Sequence, residues 1–398
     1  MTPAIEVTAT ADLPLGMPAS DFLRDYWQKR PLLVRGAIPE LTAGQPLPIE
    51  PDDLAGLACE DFALSRLIVH HAASDGWQVR TGPLPEDAFD GFPERDWTLL
   101  VQDVDRWDRD VAGLLRHFAF LPRWRIDDIM VSFAAPGGSV GAHVDQYDVF
   151  LIQGMGTRRW LVDSSDAPDL AMRDDVELKL LRQFKPTHDW TLQPGDLLYL
   201  PPGVPHHGIA IEAGLTFSVG MRAPSQAEML VDLAEHLAEA LPESQRYTDP
   251  DLAPASDPFE IDSSALNRAR AAMPAIAPLP DASLVRWLGG FLTRYRSAGE
   301  AAASDVVTRP EQLKATLHNG CRLSHHPLAR FAWSGLGDEP LLFVNGLALP
   351  CPTTQAALIC RHSELGMSEL AGQPEIIWAT LARLVDSGYL VPVEGSDA

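Results

Sequence analysis

A chain of 398 residues, 46% of them hydrophobic, has material for two or three domains around sizeable cores. With 31 Lys and Arg against 55 Asp and Glu, its net charge of −24 argues against a nucleic-acid groove or an anionic membrane as main partner and suits a basic protein or peptide better. Cys59, Cys321, Cys351 and Cys360 lack the spacing of a zinc cluster or disulfide framework, and with no leader-like start and no run near the roughly 20 apolar residues of a membrane span, a cytoplasmic location is expected.

The first predicted element is a helix over "SDFLRDYWQKRP" (20–31), where Phe22, Leu23, Tyr26 and Trp27 recur at helical spacing between a Ser/Asp start and a proline stop. From there to about residue 222, short β-like runs alternate with Pro and Gly. They are "RPLLVRGAIP", "DWTLLVQDV", "IDDIMVSFAAPGG", "YDVFLIQGMG", "RRWLVDSS", "GDLLYLPPGVP" and "LTFSVGMRAP". Many short strands between turn signals predict an antiparallel sandwich or barrel. The pattern then turns helical. "AEMLVDLAEHLAEAL" aligns Met229, Leu230, Leu233, Leu237 and Leu241, and "LVRWLGGFLTRYR" aligns Leu284, Trp287, Leu288, Phe291 and Leu292. A small-residue linker, "SAGEAAASD" (297–305), precedes a module with winged-helix character. That module has strands around "LLFVNGLALP" with a tight turn at Asn345-Gly346, helices near 353–361 and 374–386, and a final "GYLVPV". The expected domains are a catalytic β unit at 1–222, a helical region at 223–300 and a winged-helix-like domain at 306–398.

Several stretches carry candidate chemistry. "GGSVG" (137–141) fits the G-x-S-x-G nucleophile elbow, but an elbow needs a helix after its serine, and here "AHVDQYDVFLIQ" is β-like with no separate His/Asp pair marked. Ser139 is therefore set aside and the glycines are read as a flexible loop. "GMGTRR" (154–159) lacks a third dinucleotide-binding glycine and reads as a hairpin. "GAHVDQYD" is different. If it is strand, His143 and Asp145 point to one face and could bind a metal together, although an H-x-D triplet alone is usually a surface turn. In "PGDLLYLPPGVPHHG" (194–208), a rigid Pro-Pro-Gly loop delivers His206 or His207 to a fixed point, several strands away on the opposite wall of a barrel. Two histidines and a carboxylate form the facial triad of non-haem Fe(II) oxygenases. Arg158, on the run after "QGMG", could hold the far carboxylate of a 2-oxo acid co-substrate, while Arg159 would face away. As a bland alternative, Arg158 is a solvated sheet residue.

Taken together, "DFLRDYWQKRP", "WRIDDIMVSF", "GAHVDQYDVFLIQGMGTRRW", "PGDLLYLPPGVPHHG" and "SVGMRAP" resemble the JmjC-type 2-oxoglutarate oxygenases of the cupin, or double-stranded β-helix, superfamily. Within it the chain is most similar to the bacterial ribosomal-protein arginine hydroxylases. The resemblance implies a mainly β jelly-roll core followed by a helical dimerisation region and a winged-helix-like domain. It implies Fe(II) on His143, Asp145 and His206, with 2-oxoglutarate and O2 as co-substrates and Arg158 on the oxoglutarate. Where the family places one histidine after the last proline, this chain has two, and the motif position selects His206. For a target arginine the resemblance points to Asp128, Met130, Tyr147 and Ser218. Strand parity agrees in part, placing Asp128, Met130 and Ser132 on one face, and Ser132 is added as a second oxoglutarate contact. The expected activity is hydroxylation of the β-carbon of an arginine in a large-subunit ribosomal protein by a homodimer. The alternatives are a cupin metal isomerase or hydrolase, which would not need Arg158, and a catalytically silent adaptor.

Overall fold

The computed structural model describes residues 5–394 except 43, 72, 240, 243–247, 249–262, 273–279, 295–300 and 305. The chain divides into two units, one ending at Ala223 and the other beginning at Pro224.

The first unit runs β1 (Glu6–Thr8), α1 (Ala19–Asp25), β2 (Leu32–Arg35), α2 (Pro51–Cys59), β3 (Ser65–His71), β4 (Gly76–Thr81), β5 (Trp97–Val101), α3 (Val104–Trp107) and α4 (Arg109–Gly113). It continues with β6 (Ile126–Ala134), β7 (Val149–Gln153), β8 (Arg158–Val162), β9 (His188–Leu192), β10 (Leu197–Leu200), β11 (His206–Ala210) and β12 (Gly214–Met221). A nine-stranded sheet has the order β1-β2-β10-β7-β12-β6-β5-β3-β4, and a three-stranded sheet the order β11-β8-β9. Pairing is antiparallel throughout except between β1 and β2. From β7 onward the chain passes back and forth between the two sheets, the winding of the double-stranded β-helix expected from the sequence.

Each strand of the large sheet separates two cores because side chains alternate between faces. On one face Ile129 and Val131 of β6 join Phe150, Ile152, Tyr199, Phe217 and Val219 against Phe22 of α1. The Phe22 ring lies 5.0 Å from Tyr199 and 5.8 Å from Phe150, and truncating such a buried ring typically costs about 3–5 kcal/mol. On the other face Val149, Leu151, Leu198 and Leu200 meet Trp160, Val162, Trp190 and Leu192 of the small sheet. The inner positions of β6 and β12 interrupt this second core with polar groups. Ser132 lies opposite Thr216, and Met130 opposite Ser218.

Helix α1 stops at Asp25 and Gln28 takes a positive φ of 56°, so the helix does not reach the proline. A buried polar network ends it: the Gln28 N–H donates to the Tyr199 hydroxyl at 2.7 Å, and that hydroxyl donates to the buried Asp148 at 2.6 Å. The segment after "LIQ" is no hairpin, since β7 and β8 belong to different sheets and the turn carries the chain from one to the other. The β3–β4 hairpin, β9, β11 and the short helices α2–α4 lie outside the elements the sequence predicts. "GGSVG" is not a flexible loop: Gly137 N–H donates to Ala210 O at 2.8 Å, Ala210 N–H donates to Gly138 O at 3.0 Å, and Ser139 is buried.

The second unit begins with α5 (Gln226–Glu239), α6 (Ser263–Ala272) and α7 (Asp281–Arg294). It continues with α8 (Pro310–His318), β13 (Arg322–His325), β14 (Phe331–Ser334), β15 (Leu341–Val344), β16 (Leu347–Pro350), α9 (Thr353–Arg361), β17 (Glu364–Leu365), α10 (Met367–Leu370), α11 (Ile376–Asp386) and β18 (Leu390–Val393). Strands β14-β15-β16 and β17-β13-β18 form two small sheets, and the β15–β16 turn falls at Asn345-Gly346, both with positive φ. Helix α7 packs Trp287 and Phe291 against Met229 and Leu233 of α5, and Asp232 accepts from the Trp287 indole N–H at 2.9 Å. Most of the expected 297–305 linker lies outside the described residues.

Candidate metal centre

His143, Asp145 and His206 converge, with one ligand atom from each lying within 4.8 Å of the others. Asp145 Oδ2 is 4.0 Å from His143 Nε2 and 3.6 Å from His206 Nε2, and the two imidazoles meet edge to face at 4.3 Å. The convergence does not come from strand parity as expected, because the segment carrying His143 and Asp145 is irregular and β7 starts only at Val149. Nor does His206 come from an opposite wall. It opens β11, and the two histidines form an isolated bridge, His143 N–H to His206 O at 3.0 Å and His206 N–H to His143 O at 2.9 Å. Asp145 is held by its carbonyl, which accepts from Gly203 N–H at 2.8 Å at the end of the Pro-Pro-Gly loop.

Backbone carbonyls set both ring tautomers. His143 Nδ1 lies 3.0 Å from Gly141 O and His206 Nδ1 lies 2.9 Å from Val204 O, so each Nδ1 carries the proton and each Nε2 presents a lone pair inward. Burial, reinforced by His143, holds His206 well below the usual imidazole range and therefore neutral. Burial also raises the Asp145 carboxyl, opposed by His143 and by the Tyr147 hydroxyl. Two imidazoles that each turn Nε2 inward and one carboxylate, in a facial cluster, fit Fe(II) with open coordination positions.

Arg158 opens β8 and is almost completely buried. Its guanidinium donates to Thr216 Oγ1 at 3.3 Å and approaches Gly208 O at 3.5 Å, while its Nε finds no partner. No carboxylate among the described residues pairs with it, and burial alone lowers it to about 10. Gly208 makes the space: a Cβ there would sit 2.7 Å from Arg158 Nε. The bland reading of a solvated sheet arginine is excluded. Arg159 takes that role, facing out to Asp189 at 2.6 Å. A buried, incompletely satisfied fork is a cradle for a carboxylate. Ser132 lies across from Thr216 beside this cradle, and Gln153, whose amide oxygen accepts from Thr216 at 3.1 Å, completes a polar wall the sequence did not single out.

Asp128, Met130 and Ser218 occupy the inner face of β6 and β12, as parity predicts. Burial, with the charge of Asp103 next, pushes Asp128 up to about 7, although it accepts a hydrogen bond from Asp103 N–H at 2.9 Å. Tyr147 hydrogen-bonds Asp145, and burial with the nearby charges of Asp145 and Asp128 raises its hydroxyl.

His207 points the other way from His206. Its Nε2 lies 3.0 Å from Ser139 Oγ, and burial lowers it to about 4. A histidine partner for Ser139 thus exists after all, contrary to the sequence reading. With Ser139 buried and no carboxylate hydrogen-bonded to His207 among the described residues, the pair still lacks the features of an activated nucleophile.

Residues 113–229 match the JmjC domain family, and residues 272–391 the ROXA-like winged helix family. The chain is 36% identical over 381 residues to the ribosomal protein uL16 3-hydroxylase of Escherichia coli, covering 93% of this chain and 96% of that protein. It is 38% identical to a probable ribosomal oxygenase of Haemophilus influenzae, over 60% of this chain and 56% of that one. Among solved structures it resembles that of E. coli YcfD with a TM-score of 0.78 and 34% identity, covering 95% of this chain and 98% of that one. A second YcfD structure, in complex with cobalt and 2-oxoglutarate, superposes with a TM-score of 0.76 at 34% identity over 94% and 98% of the two chains.

Proposed function

The chain belongs to the JmjC-domain ribosomal oxygenases, and from that premise we propose that it hydroxylates the β-carbon of an arginine in the large-subunit ribosomal protein uL16, using Fe(II) and 2-oxoglutarate. The observation that carries this reading is Arg158: a buried guanidinium without an acid, beside a His-Asp-His cluster, calls for a dicarboxylate that also reaches the metal. A metal isomerase or hydrolase would have no use for it.

His143, Asp145 and His206 would hold the iron. Fe(II) held there would supply, with 2-oxoglutarate and O2, the oxidising chemistry of the reaction, with succinate and CO2 as co-products. The chain's own residues position the partners. Arg158 and Thr216 receive the distal carboxylate, with Ser132 as a further contact. Asp128 faces the target guanidinium, Met130 and Tyr147 line its aliphatic stem, and Ser218 fixes the depth of entry. The buried Trp160 ring, 5.9 Å from that of His206, backs the cluster with apolar surface from the core between the sheets.

The enzyme acts as a homodimer in the cytoplasm, where its ribosomal substrate is made. Leu230 and Val231 of α5 are each 58% exposed, and Val231 joins Ala227, Phe291, Glu228, Asp232 and Glu235 around an open groove of about 450 Å³, so that the two exposed apolar side chains with an acidic rim offer a face for a second copy.

The test is incubation with Fe(II), ascorbate, 2-oxoglutarate and a uL16 peptide, with succinate and peptide mass followed together. Succinate formation that depends on peptide, with a gain of one oxygen on an arginine, is the expected result. Metal-dependent turnover without 2-oxoglutarate would refute the reading.

A further inference from the structure

The pair Ser139 and His207 has no part in the chemistry just described, yet both side chains are largely or fully buried and turned toward each other. Ser139 Oγ also accepts the Gly141 N–H at 3.0 Å. Since that bond uses the serine as acceptor, its own hydroxyl proton is free to go to His207 Nε2, and the histidine fixes the serine rotamer.

What the serine holds is the residue that orients an iron ligand. Gly141 has φ +81°, and a Cβ there would sit 2.7 Å from Leu180 Cδ2 and 3.2 Å from the Trp77 ring, so only glycine fits. Glycine is also the residue with the widest backbone freedom. Its carbonyl accepts from His143 Nδ1, and any rotation at Gly141 would swing that acceptor away. Clamping the Gly141 N–H limits this rotation.

We infer that Ser139 and His207 are positioning residues: His207 holds Ser139, Ser139 holds Gly141, and the Gly141 carbonyl holds the imidazole of His143 in its metal-binding pose. The inference rests on the reading of His143 as an iron ligand. Strand β11 thus acts on the metal site twice, presenting His206 from one face and bracing His143 from the other through His207. The Phe184 ring, edge-on to His207 at 6.2 Å, closes the relay from outside.

The experiment titrates the apo protein with Co(II), followed by visible absorption and calorimetry, alongside apo melting curves. His143→Ala should abolish the signal, and if it binds like wild type the metal-site reading itself fails. Given that control, Ser139→Ala and His207→Ala should each weaken Co(II) binding by about 10-fold or more, the range found when a ligand loses its orienting partner. The double variant should be no worse than Ser139→Ala, because His207 acts through the serine. His207→Gln, whose amide oxygen can accept the same proton, should return to within about threefold of wild type. Wild-type affinity in both single variants, or fully additive losses in the double, would overturn the relay. Should Ser139→Ala fail to fold, the contrast between His207→Ala and His207→Gln decides alone, and equal affinities would overturn it.

Discussion

His143 and His206 are tied to each other by both of their backbone pairs, N–H to O at 3.0 Å in one direction and 2.9 Å in the other. The two imidazole ligands therefore move as one backbone unit, although one sits in an irregular segment and the other opens a strand. A metal site assembled this way is preformed, and binding needs little reorganisation of the chain.

Replacing any one of His143, Asp145 or His206 by alanine should remove stoichiometric metal binding and turnover together. The losses should not add, since a facial site lacking one of three ligands is already incomplete. Calorimetric titration of apo protein with Co(II) reads the binding, and the succinate assay reads the turnover. A His206→Ala protein with wild-type affinity would move the third ligand elsewhere.

Arg158→Met separates stability from function. Removing the partner of a buried charge pair costs roughly 3–5 kcal/mol, so the KM for 2-oxoglutarate should rise by two to three orders of magnitude. The ligand-free protein should melt at an unchanged or higher temperature, because the guanidinium has no acid to lose and its Nε is unsatisfied. A large drop in melting temperature would assign Arg158 a structural role instead.

Asp128 should make stability depend on pH. It keeps its proton to about 7 when folded and loses it near the ordinary carboxylate value when unfolded. Between those two values only the folded state is protonated at this position, so stability falls as pH rises through that window, and it does so least in Asp128→Asn. Asp103, Asp105, Asp127 and Tyr147 surround the group, and none is a cation that would reverse the sign. Binding of an arginine peptide should release the proton, so peptide KM should fall as pH rises through 7. Denaturant melts of the two proteins from pH 4 to pH 8 check the first statement, and peptide KM over the same range checks the second.

Leu230→Asp combined with Val231→Asp should convert a dimer to monomers while leaving the first unit folded. Both side chains are well exposed on α5, and a buried carboxylate is not tolerated at an apolar contact. Light scattering at micromolar concentration gives the mass. A wild-type mass already monomeric would refute the dimer, and a double variant that stays dimeric would place the contact elsewhere.

The chemistry of the site was legible in the chain because its reach is short. The Pro-Pro-Gly turn before His206, the H-x-D triplet and the Arg-Arg pair after "QGMG" are local patterns, and alternation along β6 alone placed Asp128, Met130 and Ser132 on one face. The helix and hairpin signals of the second unit were equally local, down to Asn345-Gly346. What required the folded protein was every relationship made between distant segments. Parity could not bring His143 beside His206, because the first lies in irregular chain and the pairing is a backbone bridge across sequence. The end of α1 at Asp25 is set by the Tyr199 hydroxyl capturing Gln28 N–H, not by Pro31. The "GGSVG" loop read as flexible because glycine composition says what a backbone can do. Only the hydrogen bonds from Ala210, and the approach of Ser139 to His207, decide what it does.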